Sequence, residues 1–148
     1  MSTLVSSTYR QLKWSDVKAG QEVPRITLGM NFSRVLISAI LTIDYFTGHH
    51  DVEFARRQGR KSIYVNTVTY CGFIDRTVTD WAGPETFIVR RSFSMSKPVC
   101  AGDEMYAEGR VAQVYLDDTG RGLVDIDLEV GTQVGVHFPA KVTVLLPN

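Results

Sequence analysis

The sequence predicts an α+β fold in which one antiparallel sheet wraps around a long central helix. Three observations carry this expectation. Apolar residues recur at spacings of three or four from Tyr64 to Trp81, the period changes to two after Pro84, and neither a linker nor an internal repeat divides the 148 residues.

Residues 1–20 are polar and aperiodic, with Lys18-Ala19-Gly20 as a turn, and are expected to form an arm preceding a single domain at 21–148. Glu22 to Met30, with Val23, Ile26, Leu28 and an early proline, suits a first strand at a sheet edge. Asn31 or Ser33 can cap a helix over 34–41, in which Val35, Leu36, Ala39 and Ile40 share a face. Asp51 to Arg57 can form a short helix, acidic at its start and basic at its end as the dipole favours, and Gly59 stops it. The long helix, Tyr64 to Trp81, carries the stripe Val68, Cys71, Ile74, Val78 and Trp81, and Ala82-Gly83-Pro84 ends it. Gly72 weakens that helix by ~1 kcal/mol relative to Ala, which implies that another backbone passes close to it. Four strands follow as an expected meander, at 86–96, 104–115, 122–130 and 136–146. The clearest has Val124, Ile126, Leu128 and Val130 interleaved with Asp125, Asp127 and Glu129, a half-buried strand. The apolar face of such a sheet must be covered, and the long helix is the element large enough to cover it, which is a hot-dog arrangement.

Sixteen basic residues balance sixteen acidic ones, so no long-range field draws nucleic acid or an anionic bilayer. Cys71 and Cys100 form neither a zinc-ligand pattern nor a disulfide framework and are expected as free thiols. The N-terminus lacks a basic segment followed by an apolar core, and Val35 to Ile43 falls well short of the ~20 apolar residues that cross a bilayer. A cytoplasmic protein without membrane contact is the expectation.

The chemistry concentrates in Asp44-Tyr45-Phe46-Thr47-Gly48-His49-His50-Asp51. A carboxylate and an imidazole in one turn, Asp44 and His49, are the groups needed to activate a water or move a proton. Asp also favours turns and caps for local hydrogen-bonding reasons, so the same residues are compatible with a purely structural turn. Nearby, Arg56, Arg57, Arg60 and Lys61 make the densest basic cluster, either a solvated face or a phosphate-binding patch. His49, His50 and Asp51 make a poor metal site, because adjacent side chains rarely converge on one ion and His137 is distant in sequence.

These residues, taken with the order of elements, resemble the MaoC-like, (R)-specific enoyl-CoA hydratases of the hot-dog fold. The hydratase signature Asp-x-Asn-Pro-aliphatic-His-x-Asp corresponds to Asp44 through Asp51, with Phe46, Thr47 and Gly48 at the Asn, Pro and aliphatic positions and Ala55 at the later alanine. The likeness is closer to the small hydratase subunit of actinobacterial steroid side-chain degradation. It is carried by His49-His50-Asp51, Gly59-Arg60-Lys61, Ile63-Tyr64-Val65-Asn66 and Val78-Thr79-Asp80-Trp81-Ala82-Gly83-Pro84, within a resemblance spanning about 20–147.

The resemblance implies reversible syn hydration of a trans-2-enoyl-CoA to a 3-hydroxyacyl-CoA, with Asp44 and His49 holding one water between them and no cofactor or metal. It implies a bulky, steroid-type acyl group. It also implies that the backbone N–H of Asn66, at the start of the central helix, stabilises charge on the thioester oxygen. Contact of Arg56, Arg57, Arg60 and Lys61 with CoA phosphates is a separate expectation, from the closeness of that cluster to Asp44 and His49 in the sequence. A dimer, or a heterotetramer with a second MaoC-like hot-dog subunit, is the expected assembly. Two alternatives remain at this point: a non-catalytic partner of a heteromeric hydratase, and an acyl-CoA thioesterase using Asp75, for which pairing with Arg76 is the ordinary explanation.

Overall fold

The computed structural model describes residues 10–148; the first nine residues of the expected arm lie outside them. Five strands and three α-helices run in the order β1 (Glu22–Met30), α1 (Phe32–Leu41), α2 (Val52–Arg57), α3 (Thr67–Ala82), β2 (Phe87–Phe93), β3 (Asp103–Leu116), β4 (Gly122–Thr132) and β5 (Gly135–Leu145). All pairings are antiparallel, in the spatial order β1-β3-β4-β5-β2. The alternation read from β4 holds: Val124, Ile126, Leu128 and Val130 are buried, while Asp127 and Glu129 are exposed.

The four later strands do not form a simple meander. β3, β4 and β5 do, but β2 crosses to the far edge and pairs with β5, Phe87 opposite Leu145 and Phe93 opposite Ala140. Period-two alternation states that a segment is a strand and is silent about its neighbour.

α3 lies on the apolar face of the sheet. Tyr70, Phe73, Ile74, Thr77, Val78 and Ala82 are its buried residues, and each large aliphatic so buried contributes roughly 1.5–3 kcal/mol. The buried stripe is therefore rotated from the expected one: Ile74 and Val78 belong to it, whereas Val68 is exposed. Tyr70 and Phe73, aromatic and on the sheet side, displace the weaker candidates. The expected close approach at Gly72 is not there, since among the described residues nothing lies within 4 Å of the position its Cβ would take.

The helix also begins three residues later than its periodicity suggested. Ile63-Tyr64-Val65 is extended, with Tyr64 bridging Cys100 and the Val65 N–H donating to the Val99 carbonyl at 2.9 Å. Asn66 then caps the helix by accepting from the Thr69 N–H at 3.1 Å. At the other end Gly83 has a φ of 109°. A side chain there would also strike the 10–12 segment, where the Arg10 carbonyl oxygen would stand 2.7 Å from its Cβ.

In α1 the cap is Asn31, whose side chain accepts from the Arg34 N–H at 2.8 Å. Val35 and Ala39 are buried, but Ile40, expected on the same face, is exposed together with Ile37 and Leu41. Asp51 caps α2 by accepting from the Phe54 N–H at 2.9 Å. No helix among the described residues is long and apolar enough to cross a membrane.

Candidate active site

The site lies where α1 ends, α2 begins and α3 starts. After α1 the chain turns through Ile43, which has a φ of 55°, a left-handed conformation that costs a β-branched residue of order 1–2 kcal/mol. The turn brings the Asp44 N–H back onto the Ala39 carbonyl at 2.9 Å. One Asp44 carboxylate oxygen, Oδ1, accepts from the Phe46 N–H at 3.3 Å, leaving Oδ2 free to face the next turn.

That next turn, Thr47–His49, is a single 3₁₀ turn carrying His49, which is only 7% exposed. His49 Nε2 stands 3.4 Å from Asp44 Oδ2, and Nδ1 is 2.7 Å from the backbone oxygen of Tyr64. A carbonyl can only accept, so Nδ1 carries a proton. In the neutral imidazole Nε2 is then an acceptor and, like Oδ2, requires a donor from outside the pair. A small molecule with two O–H or N–H donors, such as water, would satisfy both in that state. Phe46 and Tyr64 meet the imidazole edge-on, with ring centroids 5.4 and 5.3 Å away, which fixes the ring plane and limits its exposure.

Asn66 links the elements of the site. Its side-chain amide donates to the Thr42 hydroxyl at 2.6 Å, its carbonyl oxygen accepts from the Thr69 hydroxyl at 2.6 Å, and the residue is 1% exposed. The Asn66 N–H has no hydrogen-bond acceptor among the described residues, as befits the start of a helix.

A cleft of about 240 Å³ opens beside His49, lined by Phe46, Arg60, Tyr64, Thr67, Lys97 and Pro98 among others. Of the four clustered basic residues only Arg60 lines it. Arg56 pairs with Glu53 at 3.0 Å, Lys61 with Asp103 at 2.5 Å, and the Arg57 guanidinium lies 6.0 Å from the Phe54 ring centre. Lys97, which also lines the cleft, was not singled out from the sequence; its place in the Lys97-Pro98 turn is the signal that was there. A larger hollow of about 680 Å³ crosses the outer face of the sheet between Glu22 and Lys141. It contains neither member of the dyad, and its charges include the mutually paired Arg25 and Glu108, as expected of a solvated sheet face.

Other residues of the motif have different employment. His50 is exposed and places Nε2 3.2 Å from the Tyr45 carbonyl, and Asp51 is the α2 cap, so neither turns to His49. Asp75 is bound by Arg91 of β2, whereas the partner expected for it, Arg76, pairs with Asp80 at 3.0 Å. Asp75 does not line the cleft beside His49.

A single antiparallel sheet around one helix is the hot-dog architecture, here with a carboxylate and an imidazole near the helix's N-terminal end. No protein-family model matches the chain. Among individual proteins it is 32% identical over 123 residues to the 3-oxo-4,17-pregnadiene-20-carboxyl-CoA hydratase beta subunit of Mycobacterium tuberculosis (strain ATCC 25618 / H37Rv), covering 83% of this chain and 92% of that subunit. The crystal structure of the ChsH1-ChsH2 complex of Mycobacterium tuberculosis contains a chain that superposes with a TM-score of 0.80 at 30% identity, covering 87% of this chain and 98% of that one. The (R)-hydratase of A. caviae involved in PHA biosynthesis shares the fold, with a TM-score of 0.78 at 22% identity, covering 88% and 98% of the two chains. The chain belongs to the MaoC-like hydratase family of the hot-dog fold.

Proposed function

We propose that this protein is an enoyl-CoA hydratase that adds water to a trans-2-enoyl-CoA to give a 3-hydroxyacyl-CoA, with Asp44 and His49 as the catalytic pair. The observation that carries this reading is the approach of Asp44 Oδ2 to His49 Nε2 at 3.4 Å with Nδ1 already committed to the Tyr64 carbonyl. Two acceptors so placed hold one water by both its protons. One of the pair takes a proton from the water as its oxygen bonds to C3 and the C2–C3 π pair moves toward the thioester, and that proton is then returned to C2 on the same face, so that one water is added in sum. Charge developing on the thioester oxygen is met by the Asn66 N–H at the positive end of α3.

The carrier's phosphates are assigned to the mouth of the cleft, with Arg60 and Lys97 ahead of Arg56, Arg57 and Lys61, whose contacts lie elsewhere. The acyl group is proposed to be bulky and steroid-type, in line with the mycobacterial relative named for a pregnadiene-carboxyl-CoA. A cleft of about 240 Å³ is below the ~300–1,000 Å³ of pockets that enclose comparable ligands. It therefore suits the reacting end alone, with the remainder of the acyl group held in part by a second subunit. We place that subunit, a further MaoC-like chain, in a dimer or heterotetramer; the complex solved for the mycobacterial proteins supports this, and the outer edges of β1 and β2 have no strand partner among the described residues. Because that relative is heteromeric, a role as the non-catalytic half is the second reading. The thioesterase reading has no support from the Asp75–Arg91 pair.

Loss of absorbance of the conjugated thioester, followed with short, long and steroid-type enoyl-CoAs and with and without a second hot-dog subunit, tests the proposal. Asp44→Asn and His49→Ala are each expected to lower turnover by about 10²- to 10⁴-fold while leaving the circular dichroism spectrum unchanged. Near-wild-type turnover in either variant would remove the dyad, and hydration dependent only on the partner's residues would make this the inactive half.

A further inference from the structure

Position 48, where the resembling hydratases carry an aliphatic residue, is Gly48, and the structure shows what takes the missing side chain's place. A Cβ built on Gly48 would lie 2.6 Å from Tyr64 Cζ, with the phenol oxygen closer still and Phe46 Cε1 at 2.8 Å. The Gly48 backbone is not in the left-handed region, so alanine is permitted there by φ, and steric exclusion by these rings is the constraint. The Tyr64 ring is held from the far end as well, its hydroxyl donating to Gln58 Oε1 at 2.7 Å. The two backbones are laced together beneath it: the Tyr64 N–H donates to the Gly48 carbonyl at 3.2 Å, and the Tyr64 carbonyl accepts from His49 Nδ1 at 2.7 Å. The same ring meets the imidazole edge-on at 5.3 Å.

We propose that Tyr64 is the positioning residue for His49, locking its tautomer through the carbonyl and its ring plane through the phenol, and that position 48 is glycine to admit the Tyr64 ring. This rests on the hydratase reading for its consequence in turnover, but the geometry itself is independent of that reading. A methyl at position 48 forces either the Tyr64 ring away, with loss of the Gln58 bond and the edge contact, or the 3₁₀ turn aside, with His49 on it. Both displace the imidazole from Asp44.

A double-mutant cycle of Gly48→Ala and Tyr64→Ala tests this, read by turnover and by the ring-nitrogen chemical shifts of His49. In the wild type the neutral imidazole is expected as a single species protonated at Nδ1. Gly48→Ala is expected to lower kcat at least tenfold with KM changed less than threefold and to mix or shift the tautomer signals. In the Tyr64→Ala background, where the obstructing ring is gone, the same change is expected to cost less than threefold. The proposal is overturned if Gly48→Ala keeps more than half of kcat with His49 signals unchanged. It is equally overturned if the cost of Gly48→Ala is the same in both backgrounds, which would make Phe46 or the turn itself the obstacle. If neither wild type nor variants hydrate any enoyl-CoA while the His49 signals respond as described, the positioning role stands and the hydratase reading fails.

Discussion

Tyr70→Phe removes one oxygen from the interior and nothing else. The Tyr70 hydroxyl accepts the Val99 N–H at 2.7 Å, and both residues are buried, Val99 completely. The ring keeps its edge-on contact with Phe138, centroids 5.3 Å apart, so no cavity larger than the lost oxygen forms. The variant leaves a buried peptide N–H without an acceptor, which costs about 1–3 kcal/mol. At ~2.1 cal/mol/K per residue, a 148-residue domain unfolds with an entropy of ~0.3 kcal/mol/K. The expected fall in melting temperature is therefore roughly 3–10 °C. Val99 also accepts from the Val65 N–H, so it joins α3 to the extended segment that carries Tyr64; the loss is expected to reach His49 as a smaller decrease in kcat. Thermal and urea unfolding of the two proteins measure the effect. A destabilisation below about 0.5 kcal/mol would be smaller than any buried orphaned amide should cost and would refute the assignment of this bond.

Asp103 gives a pH-dependent expectation. Burial pushes its carboxyl up, but hydrogen bonds from the Lys61 ammonium, the Cys100 N–H and the Gln133 amide outweigh burial and hold it below the usual carboxylate range. A value depressed in the folded state contributes stability in full above the unfolded value of ~3.9 and loses it as pH falls through the folded one. The stability advantage of wild type over Asp103→Asn should accordingly be constant near neutrality and shrink below about pH 4, by urea titration at each pH; an advantage that grows on acidification would contradict the sign. Arg60→Gln combined with Lys97→Gln is expected to raise KM for an enoyl-CoA by about fivefold or more, if each exposed cation contributes ~0.5–1 kcal/mol. The same enoyl group on pantetheine, which lacks the phosphates, should show no change in KM, and an equal rise for both thioesters would deny the phosphate assignment.

Much of the architecture was legible because local physics dictates it. Asn31 and Asp51 announce helix starts, Gly83 announces an end, and the apolar alternation in β4 needs no knowledge of its neighbours. The failures share a cause. β2 reads as a strand, but its pairing with β5 rather than β3 is decided by which edge remains after β4 is placed. Ile63-Tyr64-Val65 carries helical periodicity into Thr67, yet the backbone partners at Val99 and Cys100 draw it into an extended form. At the site, the spacing of Asp44 and His49 was visible, and the structure places the two within 3.4 Å. Tyr64 as the acceptor for His49 and Lys97 in the lining of the same cleft were not visible, since both relations join segments that are separate in the sequence.

The strand order also bears on the sequence of events in folding. β3, β4 and β5 are joined by tight turns and can form from neighbouring chain, whereas β1 finds its place only when Glu22 reaches Arg110 and Met30 reaches Asp103. Closing loops of that length is entropically costly, so such contacts form late. α1 and the turn bearing Asp44 follow directly from β1, and Tyr64 reaches His49 from an extended segment fastened to the loop before β3. The Asp44–His49 turn thus follows directly from the strand whose placement needs the longest closure of the sheet, so that a local pair of side chains hangs on a distant pairing.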